Sequence, residues 1–152
     1  MASLVSLPKT YRPFAARIVA SVASACLVAV IAAAWIALPA HSKAQFDWYQ
    51  RVSLVVVFGA ALAVLWGIAR CRLVARDDGV TIVNMVTIRH YEWAELVEIS
   101  LRGSAPWATV DLADGTATNV MALQGVDGAR AQRSVRELAG IIASKSRTNH
   151  ND

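Results

Sequence analysis

Two long stretches of this 152-residue chain, 18–38 and 52–69, contain no charged residue at all. An ion path, proton relay or transport site within an apolar segment needs ionisable groups there, so those functions are excluded for both. Cysteine is scarce. Cys26 and Cys71 make no C-x-x-C pair and cannot build a disulfide framework. Histidine is scarcer than a metal site needs, because His41, His90 and His150 fall in a loop, a strand pattern and the tail. No H-E-x-x-H, H-x-x-E-H or G-x-S-x-G occurs, nor a glycine loop of phosphate-binding spacing. The expectation is therefore a non-enzyme, with no catalytic residue, metal, cofactor or small-molecule substrate.

What is present is organised around the uncharged stretches. As helices they would be about 31 and 27 Å long, against a hydrocarbon core of about 30 Å. Backbone groups in lipid must be satisfied within the segment, so a membrane-spanning helical hairpin is expected over 18–69, with 39–51 as its loop. Trp35, Trp48, Tyr49 and Trp66 fall where interfacial aromatic belts would lie. Ala20, Ser21, Ala23, Ser24, Ala25 and Ala29 offer close approach on the first helix. Gly59, Ala63 and Gly67 do so on the second, at four-residue spacing. Such faces serve packing within the hairpin or docking onto another membrane protein.

The formal charge is +4, and its distribution matters more than its size. Residues 1–69 carry Lys9, Arg12, Arg17, Lys43 and Arg51 against Asp47, whereas 70–152 balance ten basic against ten acidic residues. A nucleic-acid module would place the excess on its folded domain, so nucleic acid is excluded. The excess instead flanks the apolar stretches, joined by Arg70, Arg72 and Arg76 just after the second. That bias favours both termini on the cytoplasmic side of the plasma membrane. A competing reading, signal cleavage at Ser42-Lys43-Ala44 with a mature start at Gln45, requires a much shorter apolar run.

Beyond residue 69 the pattern becomes one of strands. Short apolar runs at 72–76, 80–83, 86–91, 96–101, 107–112 and 117–123 are separated by turn chemistry, notably Asp77-Asp78-Gly79, Asn84-Met85 and Asp114-Gly115. The last element is different. Ala131, Val135, Leu138, Ala139 and Ile142 form one apolar stripe at helical spacing, with Asp127 as the expected cap and Ser144 near the end. Arg130, Arg133 and Glu137 lie opposite, the last two at i, i+4. Residues 1–17 are expected to be a flexible or membrane-surface arm, 70–144 a domain, and 145–152 a disordered tail.

Arg72-Leu73-Val74-Ala75-Arg76, Asp78-Gly79-Val80, Trp93-Ala94-Glu95-Leu96, Asp114-Gly115 and the closing helical stripe resemble the small bacterial PH-domain family of actinobacteria. That family includes PH proteins of the low molecular weight protein antigen type. The resemblance covers roughly residues 14–143. It implies an α+β fold, an antiparallel β meander or barrel with a C-terminal amphipathic helix, behind a membrane α-helical hairpin. It implies no catalytic role. The acidic Asp77-Asp78 turn argues against the phosphoinositide site that some eukaryotic PH domains place between their first two strands. Trp93 and Trp107 read as packing residues rather than a ligand cage.

The leading functional expectation is a membrane-anchored scaffold or accessory protein that binds a membrane or cytoplasmic protein. Its candidate surfaces are Arg130, Arg133 and Glu137 on the final helix and Gly59, Ala63 and Gly67 on the hairpin. The alternative is a module that binds anionic lipid of the inner leaflet through Arg70, Arg72 and Arg76.

Overall fold

The computed structural model describes residues 6–148 and divides the chain into two compact units. One runs from Ala16 to Ala69. The other joins the N-terminal segment through Ala15 to everything from Arg70 onward.

The first unit is the hairpin. Helix α1 covers Phe14–Ala37, α2 is a short turn of helix over Ala40–Ala44, and α3 covers Trp48–Ala69. Both long helices are long and apolar enough to cross a membrane, and nearly all their side chains are exposed. Water would penalise such a surface heavily, whereas hydrocarbon would not. Arg51 closes the connection by donating from Nε to the Phe46 carbonyl (3.1 Å) and from Nη2 to the Lys43 carbonyl (3.0 Å). Trp35 packs edge-on against Phe46 with ring centroids 6.0 Å apart, and Trp48 stacks on Tyr49 at 3.8 Å.

The second unit contains two antiparallel sheets and one helix. Strands β1 (Lys9–Tyr11), β2 (Arg72–Ala75), β3 (Gly79–Val83) and β4 (Ile88–Glu92) form the first sheet in that order. Strands β5 (Leu96–Ser100), β6 (Trp107–Leu112) and β7 (Ala117–Gln124) form the second. Helix α4 (Ala129–Thr148) packs on β5 and β7, while β7 crosses β2 and β3. The strands alternate as half-buried strands must: Leu73 and Ala75 point inward, while Arg72 points out. Leu73, Val80, Ile82, Val110, Val120 and Leu138 are the most completely buried large side chains, and they come from both sheets and the helix. Each stabilises the fold by roughly 1.5–3 kcal/mol relative to exposure. The α4 stripe buries Ala131, Val135, Leu138 and Ile142 as its spacing requires, and Ile141 as well.

Three sequence expectations change here. The segment expected to be a flexible arm contributes β1, whose Lys9, Thr10 and Tyr11 face Ala75, Val74 and Leu73 across the hairpin-long gap in sequence. A three-residue strand between Pro8 and Pro13 is too short to show alternation, so no local signal marks it. Asp127 does not cap α4. It ends a 3₁₀ turn, Gly125–Asp127, and its carboxylate accepts from the backbone N–H groups of Phe14 (3.0 Å) and Ala15 (2.9 Å), capping α1. Finally, α4 continues through Thr148, so the expected tail is helical from Lys145 to that point, and the rest of it lies outside the described residues.

Candidate functional site

Arg72 lies exposed at the start of β2 and Arg76 just beyond its end. Four residues of strand put their backbones about 13 Å apart. Arg70 is half-buried. The Asp77-Asp78 turn beside Arg76 is engaged by other groups: Lys145 Nζ lies 3.9 Å from Asp77, and His90 Nε2 lies 3.9 Å from Asp78. From inside, the Trp93 indole N–H donates to the carbonyls of Arg76 (3.0 Å) and Asp77 (3.1 Å). Trp93 is buried core with its polar edge satisfied, and Trp107 is half-buried.

Of the three α4 residues, Glu137 and Arg130 meet the N-terminal segment and Arg133 does not. Glu137, at pairing distance in sequence from Arg133, is instead ion-paired with Lys9 of β1. Arg133 turns along its own helix, its Nε donating to the Ala129 carbonyl at 3.3 Å. The Arg130 guanidinium lies 4.7 Å from the centroid of the Phe14 ring, a cation–π geometry.

Between β1, the end of β7 and the first half of α4 lies a cleft of about 220 Å³. Its polar wall includes Lys9, Tyr11, Arg12, Asp127, Arg130 and Glu137. Tyr11 is only 5% exposed, and its hydroxyl is buried with no hydrogen-bond partner. Sequence reasoning missed this cleft, because Lys9 and Glu137 stand 128 positions apart. The nearest available signal was Lys9 and Arg12, two of the three cations ahead of the first apolar stretch.

Burial, reinforced by the neighbouring Glu137 carboxylate, pushes the Tyr11 hydroxyl well above its ordinary pKa of 10.0. A group with a raised folded-state pKa contributes stability below its unfolded pKa and loses it as pH rises further. The urea midpoint of the full chain is therefore expected to fall as pH rises above about 10, and Tyr11→Phe to flatten that decline. An unchanged slope in Tyr11→Phe would remove this account.

In the hairpin, Gly59 and Ala63 are exposed, while Gly67 is buried. A Cβ at Gly59 would meet no atom within 4 Å. Gly59 lies on an apolar groove of about 470 Å³ bordered by Ile31, Trp35, Val55 and Phe58, with Arg51 at one end. Among the described residues, no group of three or more His, Cys, Asp and Glu could hold a metal ion.

Two antiparallel sheets closed by a C-terminal helix define a PH-like domain. Residues 70–140 match the family described as Bacterial PH domain. In three dimensions a strand from outside the matched segment completes its sheet. The chain is similar to uncharacterized proteins of Mycobacterium tuberculosis and Mycobacterium bovis, at 35% identity over 92 residues. That match covers 58% of this chain and 60% of each relative. These relatives agree with the actinobacterial PH-like family that the turn and core motifs resemble. No solved structure matches the chain.

Proposed function

We propose that the protein is a membrane-anchored, non-enzymatic scaffold or accessory protein that uses its hairpin to bind another membrane protein. The observation that carries this reading is the open small-residue face of α3, where Gly59 has empty space above it and Ala63 is exposed. Without a hydrophobic driving force between helices in lipid, such faces associate through close backbone approach. The β1–β2 pairing supports a hairpin topology with both ends on one membrane side, since the strands flank the hairpin in sequence and share one sheet. The basic residues around those ends favour the cytoplasmic side of the plasma membrane.

Gentle-detergent purification of the tagged full chain, followed by mass spectrometry, tests the reading. A stoichiometric membrane protein is expected with the native chain and is expected to be lost from Gly59→Leu/Ala63→Leu. Recovery of the chain alone would count against it. Anionic-lipid binding through Arg70, Arg72 and Arg76 is the weaker alternative, because Arg72 and Arg76 sit at opposite ends of one strand.

A further inference from the structure

The two sheets of the domain end in four edge strands, β1, β4, β5 and β7, and three of these edges are guarded. Strand β1 is only three residues long and lies between Pro8 and Pro13. Along β7 the Asn84 side chain pairs with the Asn119 carbonyl and the Met121 N–H. Strand β5 carries a register shift at Val97 and lies against α4. Strand β4 has no such protection. It is five residues without proline, glycine or bulge, in unbroken register with β3. A plain edge of this kind is a template for another strand. The bond from the Asn84 N–H to the Thr87 carbonyl (2.9 Å) sets which β4 groups face outward. In an antiparallel pair, alternate residues turn their N–H and C=O to the partner. Thr87, Arg89 and Tyr91 turn theirs to β3, while Ile88, His90 and Glu92 turn theirs away. The Glu92 N–H is taken by the Glu95 carboxylate (2.7 Å), as that phase requires. Among the described residues, the N–H and C=O groups of Ile88 and His90 have no partner, and exposed Arg89 has no carboxylate at ion-pair distance. Two donors and two acceptors thus stand in a row beside an Ile88 side chain that is 61% exposed.

We propose that β4 takes up an extended segment of another protein as an added antiparallel strand. That segment carries a carboxylate opposite Arg89 and β-branched apolar residues opposite Ile88 and His90. In strand addition of this kind, main-chain bonds supply affinity and alternate side chains supply specificity. Charge selects the occupant. A second copy of this chain would pair β4 with β4, and residues opposite each other must then both face outward or both face inward. One register that uses Ile88 and His90 sets Arg89 opposite Arg89, and like charges directly opposite are destabilising. The other sets His90 opposite itself and Ile88 against Glu92, whose N–H is already taken. A strand with an acidic residue between two β-branched ones avoids both. The surface belongs to the domain, so it goes beyond the hairpin contact of the proposed function and stands whether or not that contact exists.

The test uses the full chain in dodecylmaltoside and a fluorescent, disulfide-closed β-hairpin peptide whose outer strand reads Thr-Val-Glu-Val-Thr, with binding read by anisotropy. Saturable binding is expected, together with slower hydrogen exchange at the Ile88 and His90 amides. His90→Pro removes an N–H that β3 does not use, so it should keep the fold and weaken binding about tenfold. His90→Ala keeps that N–H and should bind as the native chain does. Arg89→Glu should weaken binding to this peptide and strengthen binding to the same peptide with Lys in place of Glu. A purely structural arginine would not produce that reversal. Should His90→Pro fail to fold, the charge exchange decides. Binding that is absent, or indifferent to both His90→Pro and the charge exchange, would overturn the proposal. A native-chain dimer that His90→Pro renders monomeric would make the occupant a second copy and overturn the one proposed.

Discussion

Deleting residues 1–11 from the full chain is expected to destabilise the PH-like domain by about 3–5 kcal/mol, the range for removing a large buried aromatic side chain. The deletion removes Tyr11 from the core and the Lys9–Glu137 ion pair from the surface of α4. It also leaves β2 as an unprotected sheet edge, with the carbonyl and amide groups that faced β1 open to water. In mild detergent, trypsin should cut at Arg72 and Arg76 much faster in the shortened chain than in the native one. Because the deletion also removes Lys9 and its ion pair with Glu137, Tyr11→Ala is the companion variant. It keeps both flanking cations and should lose about 2–4 kcal/mol, since the orphaned hydroxyl leaves along with the ring. Unchanged protease resistance in both would mean that β1 is dispensable to the sheet. The same variants bear on cleavage near Ala44, which would separate β1 from the domain it completes.

Gly79→Ala should be nearly as damaging as any single substitution in the sheet. Gly79 begins β3 with φ +156°, opposite Glu92 of β4. A Cβ there would sit 2.2 Å from the Tyr91 carbonyl oxygen and 3.1 Å from the Glu92 Cα. Both are backbone atoms of a paired strand and cannot swing aside as a side chain could. Relief requires parting β3 from β4, which also loosens the turn whose carbonyls receive the Trp93 indole. A loss of about 3 kcal/mol or more is expected, in line with other strained backbone and overpacking substitutions. For a domain of this size that lowers the melting temperature by about 12–24 °C. Gly103→Ala supplies the contrast. Its Cβ would meet nothing within 4 Å, so a change within about 0.5 kcal/mol is expected. Equal melting temperatures for the two variants would show that the close approach at Gly79 is readily relieved.

The fold was legible wherever the signal was local. The turn at Asp77-Asp78-Gly79 and the alternation of Leu73 and Ala75 with outward residues place β2 and β3 within a residue or so of their observed bounds. Val86 and Thr87 read as strand from composition, yet β4 begins at Ile88. The turn before it is anchored from outside, with the Asn84 side chain donating to the Asn119 carbonyl (2.8 Å) and accepting from the Met121 amide (3.1 Å). The candidate site was less legible. Glu137 has a good partner in Arg133 by helix spacing, but a surface pair at i, i+4 is worth only about 0.3–0.5 kcal/mol. A cation delivered by a strand packed on the same helix displaces it easily.

By itself the amino-acid order determined the two apolar helices, six of the seven strands and the amphipathic face of α4. Each of these follows from periodicity, turn residues or absence of charge within a window of some twenty positions. Only the tertiary structure decided that the segment ahead of the hairpin is the seventh strand and that Asp127 caps α1 from 113 positions away. It likewise decided that Tyr11, Arg12 and Arg130 share one cleft. Those contacts have no local pattern, because they exist only once the sheet has joined the two ends of the hairpin. The free energy that makes them comes from burying Tyr11 and Leu73 together, which neither segment can do alone.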